Sequence, residues 1–471
     1  MEKTNYKRAS TYYLIGNLFN KGIAFLTVPI FTRILSTTDY GIVTTYNSWV
    51  SILSMIMGFA IYMGIRAAFI DYKKNIDDFM SVATTFTLLS GALVCVFIGA
   101  CALFIKVNLG TTIIILCLIQ GIASALIQNY SMYLMMQYKY RFRTILMILP
   151  NLVAVIFSVA AILFVLKTNL YMGRIVPTAL VNAGFGLLTV ALVYKKSRVF
   201  FNREYLSYAL RISMPLVLHG IALNILSQSD RTMITMFADA SQTGIYSLVY
   251  NFGMIATVIT TSLEGVWVPW FTERLKNREV SKINMLAKDY INLMTYAMIA
   301  VILVGPEVVK LLASRKYWEG ISIVPPIVLA NYVIFAYTLY VNIEHFHKKT
   351  SYITFNTIVA AVTNLILNYI FIRRFGYVAA AYTTLASYMV AFILHASYAK
   401  KIELEVYPLK TFARPLIHIF FAVILFYCFI DNGVIRWLIM VVYLLGMIYR
   451  ERSRINHFFP SISQKLLKKK H

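Results

Sequence analysis

The stretch 222-ALNILSQSDRTMITMFADASQTGIYSLVYN-251 decides how the chain is read. An apolar run carries Asp230 and Arg231 in its second half, ends at a short turn, and is followed at once by another apolar run with Gly244 near its start. Gly220, Asn224, Ser227, Gln228 and Arg231 recur at three- and four-residue steps, the spacing of one helical face. The run is therefore a helix with a polar stripe. Charges are costly in hydrocarbon, so an acid and a base at this depth face a bundle interior or a water-filled cavity.

The rest of the chain supplies the membrane. Of 471 residues, 59% are hydrophobic and 13% charged, and mean hydropathy is +0.70. A helical crossing needs roughly 20 apolar residues. Such windows run at 11–35, 41–67, 79–105, 111–137, 144–166, 170–194, 207–237, 244–270, 288–313, 321–344, 351–372, 377–398, 411–430 and 433–449. Fourteen crossings of an all-α polytopic membrane protein follow. The net charge of +25 is distributed by alternate loops. Lys73 and Lys74, Lys139 to Arg143, Lys195 to Arg203, Arg274 to Lys288, Lys348 and Lys349, and Lys400 to Arg414 fall on one side with both termini. The other side keeps few bases, among them Lys167, Arg174, Arg315, Lys316 and Arg436. The positive-inside rule then puts both termini in the cytoplasm. No basic stretch sits on a soluble domain, so nucleic acid is excluded as a partner.

Cys95, Cys101, Cys117 and Cys428 all lie in apolar windows without metal-ligand or disulfide spacing. No cleavable signal peptide is read at the start of the chain, where the first window is too long and is interrupted by Lys21. The longest loop, 271–288, reads as an amphipathic interfacial segment. No loop is large enough to hold a catalytic constellation, and no phosphate-binding Gly-rich loop or metal site is present, so no enzyme is expected.

An internal repeat organises these windows. The turn 35-LSTTDYGIVTTY-46 answers 238-ADASQTGIYSLV-249, with Gly41 and Gly244 in register at an offset of 203; 169-LYMGRIVPTAL-179 answers 375-FGYVAAAYTTL-385. Six crossings separate the copies, which gives a parallel repeat about an axis along the membrane normal, a plan known among secondary transporters. The expected division is an N-terminal lobe over 1–200, a C-terminal lobe over 201–402, and two added helices with a basic tail over 403–471. In the first lobe 173 and 174 are Gly and Arg where the second has Ala380 and Ala381.

The polar groups on these stripes are the candidate site. Asn17, Lys21, Asn224, Gln228 and Arg231 are read as lining a cavity between the lobes, with Arg66 and Arg174 nearer the helix ends, where long side chains reach the interface. Asp230, Glu264 and Glu307 are candidate ion-coupling acids; for Glu307 a pairing with Lys310 is the competing expectation. Asp230 and Arg231 are adjacent, and adjacent residues on a helix do not face each other.

Three runs resemble a known family. The run 364-NLILNYIFIRRFGYVAAAYTTLASY-388, the Asp-Arg of 229-SDRTMITMFADASQTGIYSLVYN-251 and its first-helix counterpart 28-VPIFTRILSTTDYG-41 are similar to the polysaccharide transporters of the multidrug, oligosaccharidyl-lipid and polysaccharide exporter superfamily. That resemblance implies a flippase of undecaprenyl-pyrophosphate-linked oligosaccharides, the O-antigen or capsule repeat units, in the bacterial inner membrane. It implies a polysaccharide polymerase and chain-length proteins as partners, and no cofactor beyond an H+ or Na+ gradient. A multidrug exporter of the same fold and a peptidoglycan-precursor flippase stand as alternatives. From another class, a membrane polymerase or ligase of the same pathway would need a substantial outer loop.

Overall fold

Polar caps start some of the helices, and a left-handed pair, a proline and a glycine break others. The computed structural model describes residues 22–23, 26–104 and 110–467, and the described residues contain helices and no strand. The order is α1 (26–34), α2 (Thr37–Gly58), α3 (Ile61–Asp71), α4 (Ile76–Phe104), α5 (Thr111–Met136), α6 (Tyr140–Ala160), α7 (Leu170–Tyr194) and α8 (Arg203–Phe237). It continues with α9 (Ala240–Lys276), α10 (Val280–Leu312), α11 (Val324–Phe346), α12 (Thr350–Ile402), α13 (Lys410–Cys428) and α14 (Gly433–Leu467). Asn17 and Lys21 lie outside the described residues.

Ser36 opens α2 through a capping box with Asp39, and Asp239 opens α9 by accepting from the Gln242 amide. Each satisfies N–H groups that the first helical turn leaves without partners. The two turns that carry the repeat are thereby fixed by equivalent chemistry.

Among the described residues nine helices are long and apolar enough to cross a membrane, and eleven spans result when each of two bent pairs counts as one. The window at 41–67 is one of these pairs. Phe59 and Ala60 take left-handed backbone angles, and α2 and α3 meet at 42°. The window at 207–237 is the other, bent by 43° at residue 215, a proline that has no N–H for the helical ladder. The windows at 351–372 and 377–398 are both carried by α12, whose 53 residues are divided at Gly376 (φ 58°, ψ −145°). Only glycine adopts that conformation readily.

Two expectations need correction. The segment 271–288 is not a separate interfacial element. It is the end of α9 and the start of α10 joined through residues 277–279, with Arg274 and Lys282 both paired to Glu279. Arg436 is not a loop base either. It is fully buried at the start of α14, where it donates to backbone carbonyls of Leu303, Phe429 and Ile430 and pairs with Glu307.

The helices pack in sequence-local groups that meet along α2, α8 and α9. The largest buried apolar cluster centres on α9, α10 and α11 and includes Tyr246, Phe271, Ile291 and Tyr340; a second, around Phe79, Tyr130 and Tyr133, belongs to the first half. The first turns of α8 lie on α3, where Tyr72 donates to Glu204, Asn75 to the Tyr205 hydroxyl, and Gly64 sits against Ala209. Residues 203–214 thus contact the first half, although their chain position assigns them to the second.

Candidate functional site

The α2–α9 crossing joins residues that the repeat places in register. A Cβ on Gly41 would overlap the carbonyl oxygen of Ala240, and one on Gly244 would overlap that of Thr37. Around this contact Thr37 bonds Ser241 at 2.6 Å and Ser247 donates to Thr44 at 3.0 Å. Thr44 and Ser247 are separated by the same 203 residues as the two glycines. Equivalent positions of the two copies therefore face each other, and glycine at both allows the backbones to touch.

Below this crossing α2 and α8 are joined by a row of polar contacts. Thr45 bonds Thr235 at 2.8 Å, Trp49 donates to Thr232 at 2.9 Å, Ser48 donates to Gln228 at 3.2 Å, and Ser51 donates to Asn224 at 2.6 Å. Asn224 and Gln228, expected on a cavity wall, thus face α2. That partner surface of Thr45, Ser48 and Ser51 was missed in the sequence. Its signal was the three-residue recurrence of small hydroxyls in 44-TTYNSWVS-51.

Asp230 and Arg231 point to different surroundings. Asp230 is fully buried. Its Oδ2 accepts from the hydroxyls of Tyr246 at 2.6 Å and Thr384 at 2.7 Å, and its Oδ1 accepts from Asn368 Nδ2 at 2.6 Å. Asn368 Nδ2 also donates to Asn364 Oδ1 at 3.0 Å, Thr383 donates to Asn368 Oδ1, and Ser229 donates to Asn364. The break at Gly376 folds α12 back on itself and so brings Asn364 and Asn368 opposite Thr383 and Thr384. Gln242 accepts from the Tyr377 amide at 3.1 Å and holds that break against α9. The result is a closed cage in which two hydroxyls and one amide N–H converge on the carboxylate, backed by Asn364, Thr383 and Ser229. A proton or small cation reaching Asp230 would have to displace these donors. The Nδ2 of Asn364 has no hydrogen-bond partner although it is buried.

Arg231 turns away from its neighbour. It donates to the Ser227 carbonyl at 3.0 Å and to Gln228 at 3.1 Å, and its guanidinium lies 4.6 Å from the ring centre of Tyr250. It is 5% exposed, too buried to be a surface anchor. Arg174 donates to Ser158 at 3.3 Å and covers the Phe31 ring at 4.3 Å. Both guanidiniums are within electrostatic reach of the Tyr40 hydroxyl. The two halves thereby contribute one arginine each to the region around Tyr40.

The remaining candidates sit apart. Arg66 is exposed on α3, and Glu264 is half-buried on α9 near Tyr290 and Tyr337. Glu307 pairs with Arg436, which corrects the expected pairing with Lys310; the Lys310 ammonium instead lies over Trp318. The Glu307–Arg436 contact ties α14 to α10 and lies on different helices from the Asp230 cage. Sequence reasoning also missed Asn364, Asn368, Thr383 and Thr384, whose four-residue and adjacent spacings are visible in 364-NLILNYIFIRRFGYVAAAYTTLASY-388.

These features define an all-helical, multi-pass membrane protein whose two halves meet at a symmetric crossing, with buried polar groups of both signs. Comparison with known proteins makes the class specific. The chain belongs to the family described as "Polysaccharide biosynthesis protein", which matches residues 7–275. It is similar to "Lsg locus putative protein 1" of Haemophilus influenzae, 21% identical over 58% of this chain and 67% of that protein. It is also similar to an "Uncharacterized membrane protein" of the same organism, 21% identical over 76% and 88%. Its fold resembles that of "Lipid II flippase MurJ, inward closed conformation" (TM-score 0.61, 15% identity, 94% of this chain and 99% of that one). It likewise resembles an inward-facing multidrug resistance MATE family transporter of the MOP superfamily (TM-score 0.59, 12% identity, 83% and 97%).

Proposed function

We propose that the protein is a flippase that moves undecaprenyl-pyrophosphate-linked oligosaccharides, of the O-antigen or capsule type, from the inner to the outer leaflet of the bacterial cytoplasmic membrane. The observation that carries the reading is the pair Arg174 and Arg231, one from each half, each with its guanidinium over an aromatic ring and with no acid paired to it among the described residues. A pyrophosphate carries negative charge and many acceptor oxygens, and guanidinium forks bind such groups well in a low-dielectric site. The oligosaccharide needs a polar path, for which the hydroxyls and amides of α2 and α8 serve once their mutual bonds open. The isoprenoid tail stays in lipid.

The two lobes, 1–200 and 201–402, rock against each other, and the helices over 403–471 brace the second. With the basic loops on the cytoplasmic side, the α2–α9 crossing and the polar row below it close the outer side. Opening outward exchanges their hydrogen bonds for bonds to substrate and water. The Asp230 cage is the coupling site for H+ or Na+, and no other cofactor takes part. A polymerase and chain-length proteins receive the product.

A multidrug exporter of the same fold would handle organic cations, which two buried arginines repel. Removing the protein from its host should cause an oligosaccharide-pyrophosphate lipid to accumulate on the inner leaflet. The wild-type gene should clear it, and a gene carrying Arg174→Ala with Arg231→Ala should not. Unchanged lipid-linked oligosaccharide together with increased sensitivity to cationic dyes would favour the multidrug reading.

A further inference from the structure

Four of the seven histidines, His219, His345, His347 and His395, lie on α8, α11 and α12 and the segment that joins the last two. Two acids lie with them. His347 Nε2 meets Glu403 at 2.9 Å in the connecting segment, where Glu403 also holds Arg278. Deeper in the bundle, His395 Nδ1 meets Glu344 Oε2 at 2.8 Å; His395 is 1% exposed and Glu344 is fully buried. The Tyr337 ring stacks on the His395 imidazole at 5.4 Å between centroids. The other carboxylate oxygen of Glu344, Oε1, is buried without a hydrogen-bond partner, and so is Nδ1 of His219.

We infer that His395 and Glu344 form a proton-binding site in the basic-end half of the second lobe, separate from the Asp230 cage. With one proton shared between them the pair is an imidazolium and a carboxylate, neutral overall. Without it a single carboxylate is left buried with one oxygen unpaired, which a low-dielectric interior tolerates poorly. The occupancy of the site therefore depends on whether water reaches it, and that depends on the separation of α11 from the second half of α12. No covalent bond changes; the proton arrives from water at the basic end and returns there.

The groups that face the pair set its environment. Asn356 approaches His395 at 3.5 Å from the first half of α12, and His345 lies one residue from Glu344 on the last turn of α11. His219 on α8 is within electrostatic reach of His345 and His395, Tyr398 is within reach of Glu344, and Glu264 on α9 is within reach of Tyr337. His345 is exposed, and with the His347–Glu403 pair it forms a stepped route from the basic end toward Glu344. Toward the other end, Tyr337 stacks on Tyr388, Tyr388 adjoins Tyr250, and Tyr246 joins Tyr250 to Asp230. Packed phenol rings fill the space between the two sites.

The test uses the full-length protein in lipid bilayers and pH-difference infrared spectra, with protons as the only ligand and no transport assay. The wild type should show imidazole and carboxylate bands changing together as the pH is varied. In a His347→Gln background, which removes the other imidazole–carboxylate pair, His395→Gln should lose the joint change, Glu344→Gln should lose it, and Asp230→Asn should keep it. Should Glu344→Gln fail to accumulate, Glu344→Asp keeps the charge and should shift the midpoint of the transition. Wild-type spectra without a joint transition, or, in the His347→Gln background, a joint change that persists with His395→Gln or vanishes with Asp230→Asn, would each overturn the inference. None of these outcomes depends on which glycan is carried.

Discussion

The two halves of the chain each carry a charge of opposite sign where the other half is neutral. At the offset that aligns 169–179 with 375–385, Arg174 stands where the second half has Ala380, and Ser158 stands where it has Asn364. In the first half Arg174 donates to Ser158. In the second, Ala380 is fully buried, and Asn364 joins the cage around Asp230. The counterpart of Asp230 at the offset of the glycine pair is Thr27, which carries no charge. One backbone plan thus presents a base to the space between the halves on one side and encloses an acid on the other. On the proposed function the difference is a division of labour: the first half would offer a cation to an anionic substrate, and the second would bind the coupling ion. Arg231 belongs to the second half but faces the shared region, so the anion site spans both.

Removing a cation should have the largest effect. Hydrogen bonds to charged groups contribute about 1.5–3 kcal/mol, a factor of roughly ten to more than a hundred in rate. Arg231→Ala, at the buried position, should reduce flipping of a labelled oligosaccharide-pyrophosphate lipid in vesicles by about a hundredfold. Arg174→Ala should reduce it by about tenfold, with part recovered in Arg174→Lys. Equal and small effects of both would break the assignment of the anion site.

Changes within the cage should be smaller and should alter ion dependence rather than substrate affinity. Asn368→Ala leaves Oδ1 of Asp230 without its donor at a cost of about 1–3 kcal/mol, so the ion concentration for half-maximal flipping should shift by roughly tenfold. Thr384→Val removes one neutral hydroxyl, for about 1 kcal/mol and a shift of roughly fivefold. Ser158→Ala, at the first-half counterpart of Asn364, should leave ion dependence within about twofold of wild type. A shift there as large as that of Asn368→Ala would show that the halves are not specialised.

Much of the frame was legible because it rests on periodicity and length. The apolar windows, the polar stripe of α8 and the register of Gly41 with Gly244 are one-dimensional signals, and the structure brings those two glycines into contact. The bend at Phe59–Ala60 was not legible, since neither residue type favours a left-handed backbone and the packing imposes it. The burial of Arg436 was hidden because its partners, Glu307 and three carbonyls, come from chain positions that no local pattern links. The cage was half legible. Asp230 stood out as a charge in an apolar run, whereas Asn364, Asn368, Thr383 and Thr384 are ordinary polar residues until Gly376 folds α12 back.

The central claim is that Asp230 binds the ion that drives movement of an anionic lipid-linked glycan. Its most direct test is transport by the reconstituted protein under imposed proton and sodium gradients, comparing wild type with Asp230→Asn. The replacement keeps the shape of the side chain but removes its charge and puts a donor where donors already converge. The account predicts that wild-type flipping accelerates under one of the two gradients, and that Asp230→Asn, present in the membrane at a normal level, flips at one rate whatever gradient is imposed. Full gradient dependence in the Asp230→Asn protein would contradict it.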